Sequence, residues 1–237
     1  MRWAQVALMG RRTEPLEAVA NESSGLVVQA DAASSEQVGV AMERIRADLG
    51  PLDVMVCNAG GFGFGTLTDT NDEDWNKSVQ ANLNTAMVTV RAAMPDLIAQ
   101  GGNVLMISSI VGLNAGPEVC GYVTMKHALI GLAKSITRDF GPKGVRCNTI
   151  CPGWVRTEMA DSEMVELMER KGLATVEEAY ALVTSDVPLG RPAVPDDVAN
   201  AAAFLCSEEA AMITGAVLTI DGGATVVDVP TIAFSEG

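Results

Sequence analysis

The stretch that decides the fold runs from residue 104 to residue 151 and reads VLMISSIVGLNAGPEVCGYVTMKHALIGLAKSITRDFGPKGVRCNTIC. Val104–Ser108 is a short apolar run that predicts a buried strand, and Val145–Cys151 is a second one. Between them, Gly121–Phe140 is predicted as a helix. A helix that joins two apolar strands is the repeating unit of a parallel sheet covered by helices.

The same alternation continues on both sides of this stretch. Further strands are predicted at Val6–Met9, Gly25–Gln29, Leu52–Cys57 and Ala216–Ile220. Further helices are predicted at Glu14–Ala20, Ser34–Leu49, Asp72–Gln100 and Pro195–Leu205. We therefore expect an α/β fold, a doubly wound parallel sheet with helices on both faces, in a single domain over residues 1–237. The irregular stretch Met159–Pro188 predicts two short helices that form a substrate lid at about 159–190.

Composition excludes several classes of protein. Hydrophobic residues make up 48% and charged residues 19%, as in ordinary globular proteins and unlike a disordered chain. No apolar run reaches the ~18 residues that a membrane span needs, so we expect no membrane partner. A net charge of −14 without a basic stripe argues against a nucleic-acid partner.

The five cysteines are scattered through apolar stretches, which predicts reduced, buried thiols and a cytoplasmic location. Cys147 and Cys151 are four residues apart, but they lie in an apolar strand and its exit. We therefore expect structural thiols and no metal site.

Small or polar residues follow several of the predicted strands. They are Asn58-Ala59-Gly60-Gly61, Ser108-Ser109 and Pro152-Gly153. Ligands of such folds bind at the carboxyl ends of the strands, so these residues predict a site along one sheet edge.

Tyr122 and Lys126 are four residues apart on a predicted helix and share one of its faces. A phenol has a pKa near ~10, and a neighbouring ammonium favours the phenolate. We expect Lys126 and other local charges to bring the pKa of Tyr122 toward ~7, where a phenol serves as general acid or base. The alternative is an ordinary exposed pair on a helix. Ser109 and Asn82 strengthen the catalytic interpretation, although Asn82 is also compatible with a helix kink satisfied by the backbone.

Together, these residues resemble the classical short-chain dehydrogenase/reductase family. The matching elements, in order, are Asn58-Ala59-Gly60, Asn82, Ser109, Tyr122-x-x-x-Lys126, Asn148 through Pro152-Gly153, and Asp221-Gly222-Gly223. The resemblance extends from Val6 to Gly223 and implies a Rossmann-like fold.

The resemblance implies a role for each matching residue. Tyr122 would be the general acid/base, Lys126 would lower its pKa and hold the nicotinamide ribose, Ser109 would orient the carbonyl, and Asn82 would support a proton-relay water. The remaining cofactor contacts would come from Asp31, Ala32, Asn58, Ala59, Gly60, Pro152, Gly153, Val155 and Thr157. Trp154 and Met159, with Ser109 and Tyr122, would contact a mostly apolar ketone or secondary alcohol. The resemblance also implies a homo-oligomer, a tetramer or a dimer.

The choice of cofactor can be argued from charge. Enzymes that prefer NAD place a carboxylate at the end of the second strand of this fold, on the ribose 2′-hydroxyl. Here that place holds Gly10, followed by Arg11 and Arg12, which could pair with the 2′-phosphate of NADP. We expect NADP, with NAD as the alternative, and a solvated turn as the other interpretation of the two arginines.

One feature of the family is absent. A first strand and a glycine-rich turn should precede Val6–Met9, but the chain starts at Met1-Arg2-Trp3, as if at the end of the missing helix. We expect the loss of this βα unit to leave unpaired backbone on two strands. Three explanations fit: a start assigned at an internal methionine, a shortened chain, or a decayed or repurposed gene. The intact catalytic set favours the first, and the alternative function is a non-catalytic paralogue that serves as a binding or oligomerisation partner.

Overall fold

A computed structural model describes residues 4–234 of the chain. The prediction that residues 1–3 end a missing helix lies outside the described residues.

In residues 4–234, six short strands, all paired in parallel, form the centre of the fold. They are β1 (Ala7–Gly10), β2 (Leu26–Gln29), β3 (Val54–Cys57), β4 (Asn103–Ile107), β5 (Arg146–Pro152) and β6 (Val217–Ile220). β1 pairs with β2, and the other four follow one another in the order β3-β4-β5-β6. This arrangement confirms the predicted parallel sheet flanked by helices.

Within the described part of the chain, eight α-helices connect and cover the strands. They are α1 (Thr13–Ser23), α2 (Ser35–Leu49), α3 (Asp72–Ser78), α4 (Thr85–Gln100), α5 (Cys120–Phe140), α6 (Glu158–Lys171), α7 (Val176–Val183) and α8 (Pro195–Leu205). The helix predicted over residues 72–100 is in fact interrupted by a π-helical segment at Val79–Asn84. π-Segments of this kind are frequent at functional sites, and Asn82 lies in this one.

The predicted gap in the sheet is present. Within residues 4–234, β1 pairs only with β2, and β3 pairs only with β4, so each has one free edge. Val6 beside β1 is 38% exposed and Val56 in β3 is 46% exposed, although both are apolar. Unpaired edges with exposed apolar side chains are the expected result of a missing neighbouring strand.

The core nevertheless joins the two parts of the sheet. One buried apolar cluster contains Val28 of β2, Met42 of α2, Leu97 of α4 and Val104 of β4. An ion pair adds to this contact, with 2.9 Å between Arg46 Nε and Asp96 Oδ2. Helices α2 and α4 therefore hold the β1–β2 pair against the rest of the molecule.

The cysteines and the lengths of the helices were also considered in the sequence. All five cysteines are free thiols, and burial raises the pKa of Cys57 and of Cys147 to about 12, as expected of structural thiols. In the described part of the chain, the helices are all too short or too polar to cross a bilayer.

Candidate active site

The site is built around the carboxyl end of β4. Ser108 donates a buried hydrogen bond of 2.8 Å to the carbonyl of Lys126 and so ties this strand end to α5. Ser109 caps the following turn, and its hydroxyl accepts the backbone N–H of Val111 at 3.3 Å. The strand end therefore fixes the Ser109 hydroxyl next to α5.

Tyr122 and Lys126 lie one turn apart on α5, as predicted from their spacing. The Lys126 side chain is only 4% exposed and its Nζ donates a hydrogen bond of 3.0 Å to the carbonyl of Ile107. Its ammonium lies 5.3 Å from the centre of the Tyr122 ring. The pair is thus a packed, half-buried arrangement, which excludes the alternative of two exposed residues on a helix.

The pKa values of this pair differ from the expectation for the tyrosine. Burial lowers the pKa of Lys126 from 10.5 to about 8. The pKa of Tyr122 is raised, mainly by burial, while a hydrogen bond with Ser109 lowers it and the charge of Glu163 raises it further. The side chains of this protein therefore keep the phenol protonated at neutral pH and do not bring its pKa toward 7, because desolvation outweighs the hydrogen bond with Ser109.

Asn82 is fully buried and uses both ends of its amide to hold the loop after β3. Its Oδ1 accepts the backbone N–H of Gly61 at 2.9 Å. Its Nδ2 donates to the carbonyls of Phe62 at 2.9 Å and of Ser78 at 3.0 Å. The two interpretations of Asn82 are therefore compatible, because an irregular helix satisfied by backbone groups also brings this side chain into the site.

The glycine-rich loop at residues 60–65 has a structural role that was not predicted from the sequence. It is joined to the segment before α5 by hydrogen bonds from Gly65 N–H to the Glu118 carbonyl (2.7 Å) and from Cys120 N–H to the Gly65 carbonyl (3.1 Å). The backbone N–H of Tyr122 then donates to the carbonyl of Gly63 at 3.1 Å. The loop therefore positions the first turn of α5, and its alternating glycines and phenylalanines were the signal for it.

Two groups of predicted cofactor-binding residues follow β3, for the adenosine ribose side, and β5, for the nicotinamide. Asn58, Ala59 and Gly60 are exposed at the end of β3. A Cβ at Gly60 would lie 3.2 Å from Lys126 Nζ, so this backbone runs close to the ammonium. At the end of β5, Pro152 is buried.

Packing and backbone hydrogen bonds fix the loop that follows β5. Gly153 packs against Asp221, where a Cβ would come within 3.1 Å. Val155 forms an isolated parallel bridge with Ala193, whose N–H donates to the Trp154 carbonyl at 2.8 Å. The Thr157 hydroxyl caps α6 and accepts the N–H of Ala160 at 3.2 Å.

The adenine-side residues lie at the ends of β1 and β2, on the other part of the sheet. Arg11 and Arg12 directly follow β1 and are both exposed. Asp31 follows β2, and its Oδ1 accepts the N–H of Ala33 at 2.9 Å, while Ala32 is half-buried. These residues follow the strands of the β1–β2 pair, whereas Tyr122 and Lys126 lie on α5, so the two groups would hold opposite ends of a dinucleotide.

These positions can be tested against the shape of a nicotinamide dinucleotide. An exposed strip of backbone beside a buried ammonium, at Gly60 and Lys126, suits a ribose, and the exposed arginines after β1 suit a phosphate. Between them, residues 4–234 contain no glycine-rich turn that opens a helix next to β1 or β3 for the pyrophosphate. The residues present therefore fit the two ends of the dinucleotide.

Two helices and a small cavity complete the site. Met159 of α6 faces the loop after β3, with its Sδ 3.9 Å from where a Cβ of Gly61 would lie. A cavity of about 130 Å³ is lined by apolar residues, among them Ile110, Trp154 and Val183, and also by the charged residues Arg191 and Asp221. The structure thus brings Trp154 and Met159 to the surroundings of Tyr122, and it adds Glu163, which the sequence analysis did not single out.

His127, the only histidine, does not belong to the site. Its side chain is exposed, and its Nδ1 lies 3.0 Å from the carbonyl of Val123 in the preceding turn of α5.

Comparisons with known proteins agree with this geometry. A family model described as enoyl-(acyl carrier protein) reductase matches residues 3–225. The protein MoaE of Klebsiella aerogenes is 48% identical over 235 residues, which are 98% of this chain and 90% of that protein. The oxidoreductase UcpA of Escherichia coli K12 is 32% identical over 226 residues, 92% of this chain and 84% of its own. L-Sorbose reductase of Gluconobacter frateurii, solved with NADPH and L-sorbose, superimposes with a TM-score of 0.87 and 26% identity, covering 95% of this chain and 88% of its own.

Proposed function

Because the chain belongs to the short-chain dehydrogenase/reductase family and is an NAD(P)-dependent oxidoreductase of small molecules, we propose that it transfers a hydride between NADP(H) and the carbonyl or secondary alcohol of a mostly apolar compound. The observation that carries this proposal is the buried contact of Tyr122 with Lys126 beside the Ser109 hydroxyl. The apolar residues in the cavity wall, among them Ile110, Trp154 and Val183, support the choice of substrate.

In the reducing direction, Tyr122 is the general acid. Its raised pKa keeps the phenol protonated at neutral pH, so the phenol can donate its proton to the carbonyl oxygen of the substrate. The Ser109 hydroxyl donates a hydrogen bond to the same oxygen as negative charge develops there. The dinucleotide, when bound, supplies the hydride.

Lys126 then stabilises the phenolate that remains. Its pKa of about 8 lies close to neutral pH, so its ammonium can also release a proton to restore the phenol. Asn82 holds the loop that approaches this lysine and would support a proton-relay water. The ammonium also binds the nicotinamide ribose, next to the exposed backbone of Gly60, which runs close to it.

The preference for NADP follows from charge at the end of β1. Arg11 is exposed there and no carboxylate follows Gly10, so a 2′-phosphate would meet a cation and no repulsion. L-Sorbose reductase, a structural neighbour, was solved with NADPH. NAD is the second choice. The residues that would hold the rest of the cofactor are Arg12, Asp31, Ala32, Asn58, Ala59, Gly60, Pro152, Gly153, Val155 and Thr157.

The same proposal includes the setting in which the protein works. We expect one domain over residues 1–237 with a lid at about 159–190, in the reducing cytoplasm, where the five thiols stay free. Strongly exposed apolar side chains, among them Met212 and Val226, support a homo-oligomer, a dimer or a tetramer.

One observation favours a second function, that of a non-catalytic binding or oligomerisation partner. β1 and β3 are not paired with each other, and residues 4–234 contain no glycine-rich phosphate-binding turn next to either strand. A chain that folds but binds no dinucleotide would act through its surface alone.

One experiment separates the two functions. Purified protein is titrated with NADPH and, in parallel, with NADH while nucleotide fluorescence is followed, and a panel of apolar ketones is then tested for NADPH consumption. Saturable NADPH binding with turnover of a ketone supports the enzyme. A folded protein that binds neither nucleotide contradicts it and supports the partner function.

A further inference from the structure

Two consecutive residues at the end of β4 hold Lys126 at its two ends. The carbonyl of Ile107 accepts a hydrogen bond from the ammonium Nζ at 3.0 Å. The hydroxyl of Ser108 donates to the backbone carbonyl of the same lysine at 2.8 Å. The side chains of Ser108 and Lys126 are both buried, where hydrogen bonds are stronger than in water. The end of β4 therefore fixes both the backbone and the ammonium of one residue.

The hydrogen bond from Ser108 is not needed to complete the helix. Lys126 lies in the interior of α5, so its carbonyl already accepts the N–H of Ile130 in the helical pattern. Hydroxyl groups that cap a helix serve backbone groups without a helical partner, and the carbonyl of Lys126 is not one of them. The bond therefore determines where α5 lies on β4 at the position of Lys126.

Ser108 is itself anchored and covered. Its backbone N–H donates to the carbonyl of Ile150 in β5 at 2.8 Å. Gly112 is buried beside it, and a Cβ there would lie 2.5 Å from Ser108 Oγ and 2.9 Å from the carbonyl oxygen of Lys126. The N–H of Gly112 donates to the carbonyl of Ser109 at 2.9 Å. The turn that carries Ser109 therefore closes over the bond between Ser108 and Lys126.

The ammonium held in this way lies among the groups that the proposed reaction uses. It is 5.3 Å from the centre of the Tyr122 ring and close to the backbone of Gly60, where a Cβ would lie 3.2 Å from Nζ. The other ionisable group that acts on it is the thiol of Cys151 in β5. A lysine side chain is flexible along its four-carbon stem, so its ammonium keeps one place only if its backbone is also fixed.

We infer that Ser108 is a positioning residue for the proton transfer, because its hydroxyl, acting through the carbonyl of Lys126, sets where the ammonium lies against Tyr122. This inference rests on the proposed function and adds to it a residue that acts through Lys126. The two neighbouring serines thus have different roles, since Ser109 is the one proposed to bond the reacting oxygen. A misplacement of about 1 Å at a reacting group can lower a rate by about 10²-fold, so loss of the bond should impair the chemical step.

The test compares Ser108→Ala with a matched control, Thr137→Val. Thr137 lies on the same helix about three turns from Lys126, and its hydroxyl donates to the carbonyl of Cys147 in β5 at 3.1 Å. Both substitutions therefore remove one hydroxyl bond between α5 and the sheet. Because the carbonyl of Lys126 keeps its helical partner, we expect Ser108→Ala to fold.

Two measurements are made on each protein. In the first, NMR follows the titration of the chain's five lysines, labelled with carbon-13 at Cε, and Lys126→Met identifies the signal of Lys126. In the second, kcat and KM are measured for reduction of an apolar ketone by NADPH. The first measurement does not depend on turnover.

Wild-type protein and Thr137→Val should show a pKa of about 8 for Lys126. In Ser108→Ala the ammonium gains access to water, so its pKa should rise by at least about half a unit. The value of kcat should fall about tenfold or more, while KM changes by less than about threefold, because Ser109 is left in place. The inference is overturned if Lys126 titrates alike in Ser108→Ala and wild type, or if the control shifts the titration equally.

The proposed reaction can fail separately. A raised pKa of Lys126 in Ser108→Ala, with no ketone reduced by any of the proteins, would support the positioning of Lys126 by Ser108 and refute the proposed reaction. Turnover by Ser108→Ala at the wild-type rate, with an unchanged titration of Lys126, would refute this inference alone.

Discussion

The backbone N–H of Tyr122 donates a hydrogen bond of 3.1 Å to the carbonyl of Gly63, so the loop after β3 fixes where α5 begins. The loop can approach this closely only because residue 63 has no side chain. Its φ of +125° is also one that residues with a Cβ rarely adopt. The position of Tyr122, the proposed general acid on α5, therefore depends on Gly63 in the loop after β3.

Substitution of Gly63 tests this dependence. Gly63→Ala would bring a Cβ into collision with the backbone nitrogen of Tyr122 and to 2.7 Å from Ser78 Oγ. We expect a loss of about 2–4 kcal/mol of stability by urea unfolding, from strain and steric conflict. Gly39→Ala is the control, because Gly39 lies inside α2 with open space around it, and we expect a gain of about 0.5–1 kcal/mol. Equal effects of the two substitutions would refute the role of Gly63.

The buried charge of Lys126 is expected to lower the free energy of unfolding of the protein. The fall of its pKa from 10.5 to about 8 corresponds to roughly 3 kcal/mol of unfavourable burial at neutral pH. Lys126→Met removes this cost. The Ile107 carbonyl then has no hydrogen-bond donor, and this loss lowers the stability of the variant by about 1–2 kcal/mol. We therefore expect the variant to be more stable than wild type by about 1–2 kcal/mol at pH 7.

The pH dependence of that gain has a defined sign. Below pH 8, native Lys126 carries its charge and the variant avoids the full cost of burial. Between pH 8 and 10.5, native Lys126 loses its proton before the unfolded chain does, so wild type recovers stability and the gain shrinks. Urea unfolding at several pH values measures the difference in stability between Lys126→Met and wild type. A difference that grows between pH 8 and 10.5 would contradict this account.

Arg11 is expected to determine the choice between the two nucleotides. Arg11→Ala should weaken NADPH binding by about tenfold or more and leave NADH binding within about twofold, because only NADPH carries the 2′-phosphate. The control is Arg44→Ala, which removes an exposed arginine paired with Asp48 on α2 and should leave both affinities unchanged. Fluorescence titrations give the dissociation constants. Equal losses of affinity for the two nucleotides would show that Arg11 does not bind the 2′-phosphate.

The free edges of β1 and β3 lead to a prediction about the sheet. A chain extended at its N-terminus by a strand, a glycine-rich turn and a helix should pair both edges and cover Val6 and Val56. We expect NADPH to bind such a chain at least about tenfold more tightly, because the turn places backbone N–H groups on the pyrophosphate. Slower amide exchange in β1 and β3 would report the pairing, and unchanged exchange and affinity would refute it.

Much of the fold could be predicted from the sequence because apolar runs and helix signals are local. The bounds of α8 were predicted to the residue, since Pro195 and two acidic residues begin it. That Tyr122 and Lys126 share one helix face followed from their spacing, and their catalytic interpretation also needed Ser109 and Asn82. The π-helical segment around Asn82 did not, because it depends on bonds to Gly61 and Phe62 some twenty residues earlier in the chain.

The electrostatics of the site could not be predicted from spacing either. The pKa of Tyr122 depends on how deeply the phenol is buried, and burial is a property of the whole packed structure. Glu163 looked like any other charged residue of an irregular stretch, and only the structure shows that its charge acts on Tyr122. Charges brought in by distant segments are the part of this site that required a structure.

The most direct test of the account uses the only two tyrosines of the chain. Tyr122→Phe and Tyr180→Phe make the same chemical change, one at the proposed general acid and one at the hydroxyl that donates to Asp161 at 2.7 Å. NADPH consumption with a ketone accepted by the wild type is compared for both variants, with NADPH affinity measured alongside. We predict that Tyr122→Phe lowers turnover by about 10²–10⁴-fold with its NADPH affinity kept, while Tyr180→Phe retains turnover. Turnover by Tyr122→Phe at the wild-type rate would contradict the central claim.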